Sequence, residues 1–457
     1  MAKGQQGKKM EKKEPTKTLK EKRDAKKTKM TKKRGPEVST RPAVRGRMAA
    51  AAACLAIGSV SGSAVERLAT PAGAVCGGNH RLEVTTPAGW CVGVVALGLR
   101  YPRGMTVLPG GDLIVAEMGG WNPDRGRLVR LRAASGFVPE VLFDKLNLPH
   151  GVGLGPDKRV YVGTVGGVFR FDPAAPAATR SDVIGGTSGV AALPATGRHP
   201  LVALLFDTKG DLHVNVGAAS DHCEAEDGRA PDSAKPCAEA EGPEARGVIR
   251  KYVMSWPAGR VARMEILATG LRNSAALALH RASNTLLQGE NSRDAIHTAD
   301  PKLSDARLPH DEINLIRAGR NYGWPYCYDN NRPSPEYRGF DCKARTAPQV
   351  LLPAHAAPLG MEIDNDAKLP APFTGHLLVA YHGYREGGHR VVAFRLDARG
   401  LPAGKSVDLI AGWKARPASA TQPARPQGAP VDVRIAADGS VFVTEDRNGT
   451  LLRLMRE

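Results

Sequence analysis

Val431-Asp-Val-Arg-Ile-Ala-Ala-Asp-Gly-Ser-Val-Phe-Val443, followed by Gly449-Thr-Leu-Leu-Arg-Leu454, decides the fold. Two apolar, β-branched runs flank a turn carrying Asp438-Gly439, which reverses the chain into an antiparallel hairpin, and a third run follows a short loop. The unit recurs upstream. Arg103-Gly-Met-Thr-Val-Leu-Pro-Gly-Gly-Asp-Leu-Ile-Val-Ala-Glu117 leads to Gly126-Arg-Leu-Val-Arg-Leu131, and His150-Gly-Val-Gly-Leu-Gly-Pro-Asp-Lys-Arg-Val-Tyr-Val162 leads to Gly167-Val-Phe-Arg-Phe171. Further copies start at Val202, Ser274 and Leu359. One such sheet leaves its faces bare, whereas sheets stacked radially cover one another and close a ring. Six copies predict an all-β, six-bladed β-propeller; a β-sandwich with similar turns is the alternative. Repeat spacing is uneven, and the longest unpatterned stretches are 218–247 and 292–309. In a propeller such loops gather at one end and build the site around the channel.

The whole-chain charge of +18 suggests a nucleic-acid binder. Residues 1–47, however, carry 18 of the 64 basic residues and only 5 of the 46 acidic ones. The rest is a mildly basic globular protein with 5% aromatics, which does not suggest a base-stacking platform. The run 1–47 has no apolar periodicity and reads as a disordered basic tail. Residues 48–60 are uncharged, too short to span a bilayer but matching the apolar core of a secretory signal, so 48–64 reads as a signal peptide with cleavage after Ala64. A start at Met30 gives that signal a more conventional length. The propeller occupies 75–457, and the expected location is periplasmic or secreted, without a membrane span, as a monomer or homodimer. Cys54 lies within the apolar run. The other six cysteines, Cys76, Cys91, Cys223, Cys237, Cys327 and Cys342, suit an oxidising compartment. Six cysteines allow fifteen connectivities, and proximity alone favours three local pairs.

His150 follows Pro149 at the head of the second repeat, where a side chain meets the channel; there an imidazole can act as general base near neutral pH, a structural histidine being the bland alternative. In Gly270-Leu-Arg-Asn273, at the head of the fourth repeat, a guanidinium beside a carboxamide suits carbonyl and carboxylate oxygens, or merely a salt bridge and a turn cap. Glu290-Asn-Ser-Arg-Asp294 and Leu308-Pro-His-Asp-Glu-Ile-Asn314 cluster oxygens that suit a hard cation such as calcium, though not with EF-hand spacing. Asp221-His-Cys-Glu224 mimics a metal cluster, but Cys223 is better read as a disulfide partner. No G-x-S-x-G, P-loop or H-E-x-x-H is present, nor a nucleotide-binding G-x-G-x-x-G in strand–helix context.

Gly270-Leu-Arg-Asn273, Glu290-Asn-Ser-Arg-Asp294, Asp311-Glu-Ile-Asn314 and Asn321-Tyr-Gly-Trp-Pro325, in this order, resemble the glucose/sorbosone dehydrogenases, as do Pro353-Ala-His-Ala-Ala-Pro-Leu-Gly360 and Tyr381-His-Gly383. Those are soluble six-bladed propellers that use pyrroloquinoline quinone (PQQ), and the resemblance runs over about 95–457. It implies PQQ-dependent oxidation of an aldose or sugar aldehyde, with an electron acceptor it does not specify. It implies His150 as base toward the sugar's C1 hydroxyl, Arg272 and Asn273 as PQQ contacts, and calcium held partly by main-chain carbonyls at Ser292 and Arg293, with Asp311 beside them. The chain also departs from the family. Pro149 replaces the acid before the base histidine, and Asp112 stands where the family has a cofactor-binding glutamine. Arg385 or Arg390 stands in for a cofactor lysine. The family's last arginine pair falls near Ala429 and Val431, with Arg425 close by in sequence. Two rivals follow: a propeller that binds carbohydrate or protein without catalysis, and a calcium-dependent lactonase, which needs carboxylate and Asn ligands at the channel centre. Convergence of His150, Arg272 and Asn273 on one pocket would favour the dehydrogenase.

Overall fold

A computed structural model describes residues 73–185, 192–383, 385–413, 415 and 427–457. The basic tail, the signal peptide, Cys54 and Arg425 lie outside the described residues.

Six sheets form the blades of a propeller: four are four-stranded, one gains a short parallel fifth strand at Arg320–Asn321, and one continues into two short strands at Val75–Cys76 and Asn79–Arg81. Blade 1 runs inside to outside through Pro102–Val107, Leu113–Glu117, Gly126–Leu131 and Pro139–Leu146. The inner strands of the next four blades are Val152–Leu154, Leu204–Phe206, Ala276–His280 and Pro358–Ile363. Blade 6 begins with Pro430–Ile435, Val441–Glu445 and Thr450–Arg456, the quoted repeat, but its outer strand is Trp90–Ala96 from the other end of the sequence. Val92 pairs with Leu454 and Val94 with Leu452, so the ring is closed by hydrogen bonds between its two ends. The disulfide Cys76–Cys91 staples this closing strand, and Cys223–Cys237 and Cys327–Cys342 are the other local pairs.

The apolar runs are continuous because each strand is covered on both faces. Val441 and Val443 pack toward blade 5, while Phe442 between them packs toward blade 1. In blade 1, Leu113 and Val115 face blade 6 while Ile114 and Ala116 face blade 2. With a side-chain period of two, each such residue buries about 1.5–3 kcal/mol of apolar side chain.

Inner strands touch their neighbours around the channel. At their heads the backbones come close enough for Gly104 N–H to donate to the His150 carbonyl and Gly151 N–H to the Val202 carbonyl. A Cβ on Gly151 would stand 2.7 Å from the Val202 oxygen, and one on Gly104 would overlap the His150 oxygen, so only glycine fits.

Among the described residues, the loops entering the inner strands and those joining second to third strands lie at one end of the propeller. Both long unpatterned stretches, 218–247 and 292–309, belong to this end.

Candidate active site

At the loop end, inner-strand heads and second-strand tails deliver a charged cluster from four blades. Arg103 enters from blade 1 and His150 from blade 2, both at the residue preceding a head glycine. Asp446 follows the second strand of blade 6, and His382 follows that of blade 5. Arg103 Nε donates to His150 Nδ1 over 3.3 Å, and its Nη1 donates to Asp446 Oδ2 over 2.7 Å. The other side of Asp446 meets His382 Nε2 at 3.0 and 3.1 Å. Burial alone would raise the Asp446 carboxyl, but the His382 bond and the Arg103 charge outweigh it and hold the acid below its usual range.

His150 is buried, and burial followed by the Arg103 charge lowers its pKa to about 3. Nδ1 receives Arg103 and the ring also bonds the Ala275 carbonyl across the channel. The imidazole is therefore neutral near pH 7, as a base must be, yet neither nitrogen offers a free lone pair in this arrangement. His150 lines a channel cavity of about 30 Å³, room for about one water, walled by all six inner strands. The one carboxylate in that wall, Asp432, is ion-paired with Arg434 at 2.8 Å. A channel-centred ligand set of the lactonase kind is not there among the described residues.

Arg272 and Asn273 stand at the same end but do not line this cavity. The Arg272 guanidinium is buried and ion-paired with Asp221, and its Nη1 donates to the carbonyls of Asn291 and Ser292 at 2.9 Å each. Glu290, with a pKa raised by burial to about 7, fixes Asn273 by accepting its backbone N–H at 2.9 Å. His150 and Arg272 share no polar partner among those they make.

Of the expected main-chain calcium donors, the Ser292 carbonyl accepts from the Arg272 guanidinium at 2.9 Å; the Arg293 side chain pairs with Glu336 at 2.6 Å, a contact that does not involve its carbonyl. Both Asp311 oxygens accept backbone N–H groups, from Ser292 at 2.8 Å and Ala357 at 2.6 Å, so this buried acid ties two loops together. A cation beside Ser292 would meet the charge of Arg272. The geometric metal cluster found among the described residues, Cys223, Cys237 and Glu239, contains oxidised sulfur and offers no thiolate.

Three expected cofactor contacts lie elsewhere. Asp112 is in the turn between the first two strands of blade 1, at the far end of the propeller from His150, where it pairs with Arg130 at 2.7 Å. Arg385 and Arg390 line a separate cavity of about 370 Å³ on blade 5 and face Asp305 and Asp408. A larger cavity, about 900 Å³, opens at the far end, among Leu108, Leu154, Phe206, Leu279 and Ile363. The converging charges, not cavity size, mark the loop end as the candidate site.

Arg103 and Asp446 were not singled out by the sequence reading, and Asp221 and His382 stood in quoted motifs, Asp221-His-Cys-Glu224 and Tyr381-His-Gly383, without these roles. A signal for Arg103 existed: aligning Arg103-Gly-Met with His150-Gly-Val puts the two side chains at equivalent strand heads.

The fold and its loop-end cluster define a six-bladed propeller with a polar site at one channel mouth. Residues 84–338, more than half of the chain, match the TrAA12-like family, and the chain belongs to it. The resemblance read from the motifs is thereby borne out. An uncharacterized protein of Borreliella burgdorferi is 29% identical over 203 residues, 42% of this chain, which spans about half (49%) of that relative's length. Among solved structures, the holo PQQ domain of pyranose dehydrogenase from Coprinopsis cinerea is 20% identical, with a TM-score of 0.62 over 83% of this chain and 99% of that one. The Trichoderma reesei enzyme of carbohydrate-active family AA12 is 19% identical, with a TM-score of 0.61 over 82% and 98%. The PQQ-bound aldose sugar dehydrogenase of Streptomyces coelicolor is 19% identical, with a TM-score of 0.52 over 82% and 100%. These likenesses establish the propeller.

Proposed function

We propose that the chain is an exported oxidoreductase that uses PQQ to oxidise an aldose or sugar aldehyde at the loop-end mouth. The carrying observation is the Arg103–His150–Asp446–His382 cluster, which joins four blades there. Three disulfides support an oxidising compartment.

PQQ is a planar quinone with three carboxylates, so its holder must supply cations. Arg103, buried and paired with Asp446, backs the mouth, Arg447 is exposed with no ion pair among the described residues, and Arg293, paired with Glu336, keeps Nη2 buried without a hydrogen-bond partner. This donor set fits an anionic group, and Arg103 and Arg447 are the residues proposed to hold it. Bound there, PQQ would supply a two-electron acceptor for oxidation of the sugar at C1.

The chain's own task is to take the C1 hydroxyl proton. His382 is prepared for it: it is partly exposed, Nε2 is oriented by Asp446, and Nδ1 has no hydrogen-bond partner among the described residues. His150, the acceptor implied by the family resemblance, is pinned on both sides and acts instead by positioning Arg103. No step is assigned to calcium.

The test is dye reduction by purified protein with PQQ, with and without calcium, across an aldose panel. Turnover is expected. Neither turnover nor a quinone spectral shift would leave the sugar-binding propeller, a reading the pairing of Arg103 and Arg272 with aspartates favours. His382→Gln should abolish turnover and spare the spectral shift; if His150→Gln does so instead, the acceptor is His150.

A further inference from the structure

Tyr101 and Trp121 are 49% and 62% exposed, and they are the two exposed large aromatic side chains among the described residues. The other large apolar side chains left in solvent, Val75, Val138, Val141 and Val407, are aliphatic. Both aromatics belong to the loop end of blade 1, the end that carries Arg103. Tyr101 lies in the segment entering the inner strand, two residues before Arg103, and Trp121 lies in the loop between the second and third strands. Backbone bonds zip the two segments together: Met118 N–H donates to the Tyr101 carbonyl and Gly119 N–H to the Arg100 carbonyl, at 3.0 Å each.

This platform is maintained against local preference. Tyr101 has φ 52°, in the left-handed region that a bulky residue occupies only at a cost of about 1–3 kcal/mol, while the residue stays half-exposed. Gly119 and Gly120, at φ 70° and 105°, make the turn that presents Trp121. Asn122, Asp124 and Arg125 surround Trp121 with exposed polar side chains.

An aromatic face rimmed by amide, carboxylate and guanidinium groups matches the two-sided chemistry of a pyranose, whose C–H face is apolar and whose edge carries hydroxyls. We infer that Tyr101 and Trp121 form a saccharide subsite outside the reacting position, so that the substrate is an oligosaccharide whose end unit enters the mouth while its following units lie over blade 1. This rests on the sugar-oxidoreductase reading for the end unit alone.

The test needs no cofactor. Of five tryptophans, Trp90, Trp324 and Trp413 are buried and Trp256 is half-buried, so acrylamide quenching reports mainly on Trp121. Cellopentaose or maltopentaose should shield the emission and glucose should not. Trp121→Ala should remove the shielded component, and Tyr101→Ala should weaken binding about five- to tenfold. In PQQ-loaded protein, Trp121→Ala should raise KM for the pentasaccharide by a similar factor and leave glucose kinetics unchanged. No shielding by either pentasaccharide, shielding that persists in Trp121→Ala, or equal shielding by glucose would overturn the subsite. Shielding without turnover of any sugar would keep the subsite and sink the dehydrogenase reading; glucose turnover without shielding would do the reverse.

Discussion

His150 offers the most quantitative check on the site, because its surroundings hold it neutral. Its folded pKa of about 3 stands against 6.5 for an ordinary imidazole. A lowered histidine pKa means that the unfolded chain takes up the proton first. The stabilisation is full above the unfolded value and is lost as pH falls from there toward the folded value. At pH 5 the unfolded imidazole is protonated and the folded one is not, which costs about 2 kcal/mol relative to pH 8. Replacing His150 by Gln removes this linkage. Urea unfolding of both proteins at pH 8, 7, 6 and 5 isolates it, since other buried groups cancel in the difference. The stability of the native protein relative to His150→Gln should fall by about 2 kcal/mol between pH 8 and pH 5. A difference that stays constant over this range would show that His150 is not buried neutral, and the argument that it is pinned would fail.

Arg103→Met leaves Asp446 buried with His382 alone, and should lower unfolding free energy by about 3–5 kcal/mol, measurable by denaturant titration. Asp112→Ala should cost about 1.5–3 kcal/mol through the lost Arg130 bond and leave PQQ binding unchanged, since the residue lies at the far end of the blade. Joint replacement of Cys76 and Cys91 by Ser should lower stability by about 3 kcal/mol in thermal or urea unfolding, because the lost staple holds the strand that closes the ring.

The blades were legible because each is a local hairpin with its own turn, as in the unit around Asp438-Gly439. The closing strand Trp90–Ala96 was not, since its partner Thr450–Arg456 lies at the opposite end of the chain and pairing between chain ends leaves no local pattern. His150 was found from its place at a strand head, and the same rule would have found Arg103 one repeat earlier. Asp112 misled because similarity along the chain does not say which end of a blade a turn occupies. Arg385 and Arg390 are on the correct end of blade 5, but they lie in the loop leading to its third strand and at the head of that strand, away from the channel. Asp446 sits one residue beyond a second strand, in a loop too short to stand out by composition, and His382, one residue beyond another, was quoted only as part of a motif, because its pairing with Asp446 joins distant repeats.

We propose that the loop-end mouth, through Arg103, holds an anionic quinone where an aldose is oxidised. It is tested by titrating purified protein with PQQ while following the quinone absorbance, then adding aldose, in the native chain, Arg103→Met and Arg390→Ala. A saturable one-to-one change that the sugar converts to the reduced spectrum is expected in the native chain and Arg390→Ala and should be lost in Arg103→Met. No saturation in the native chain, or an Arg103→Met titration that matches it, would rule out Arg103 as the quinone's holder.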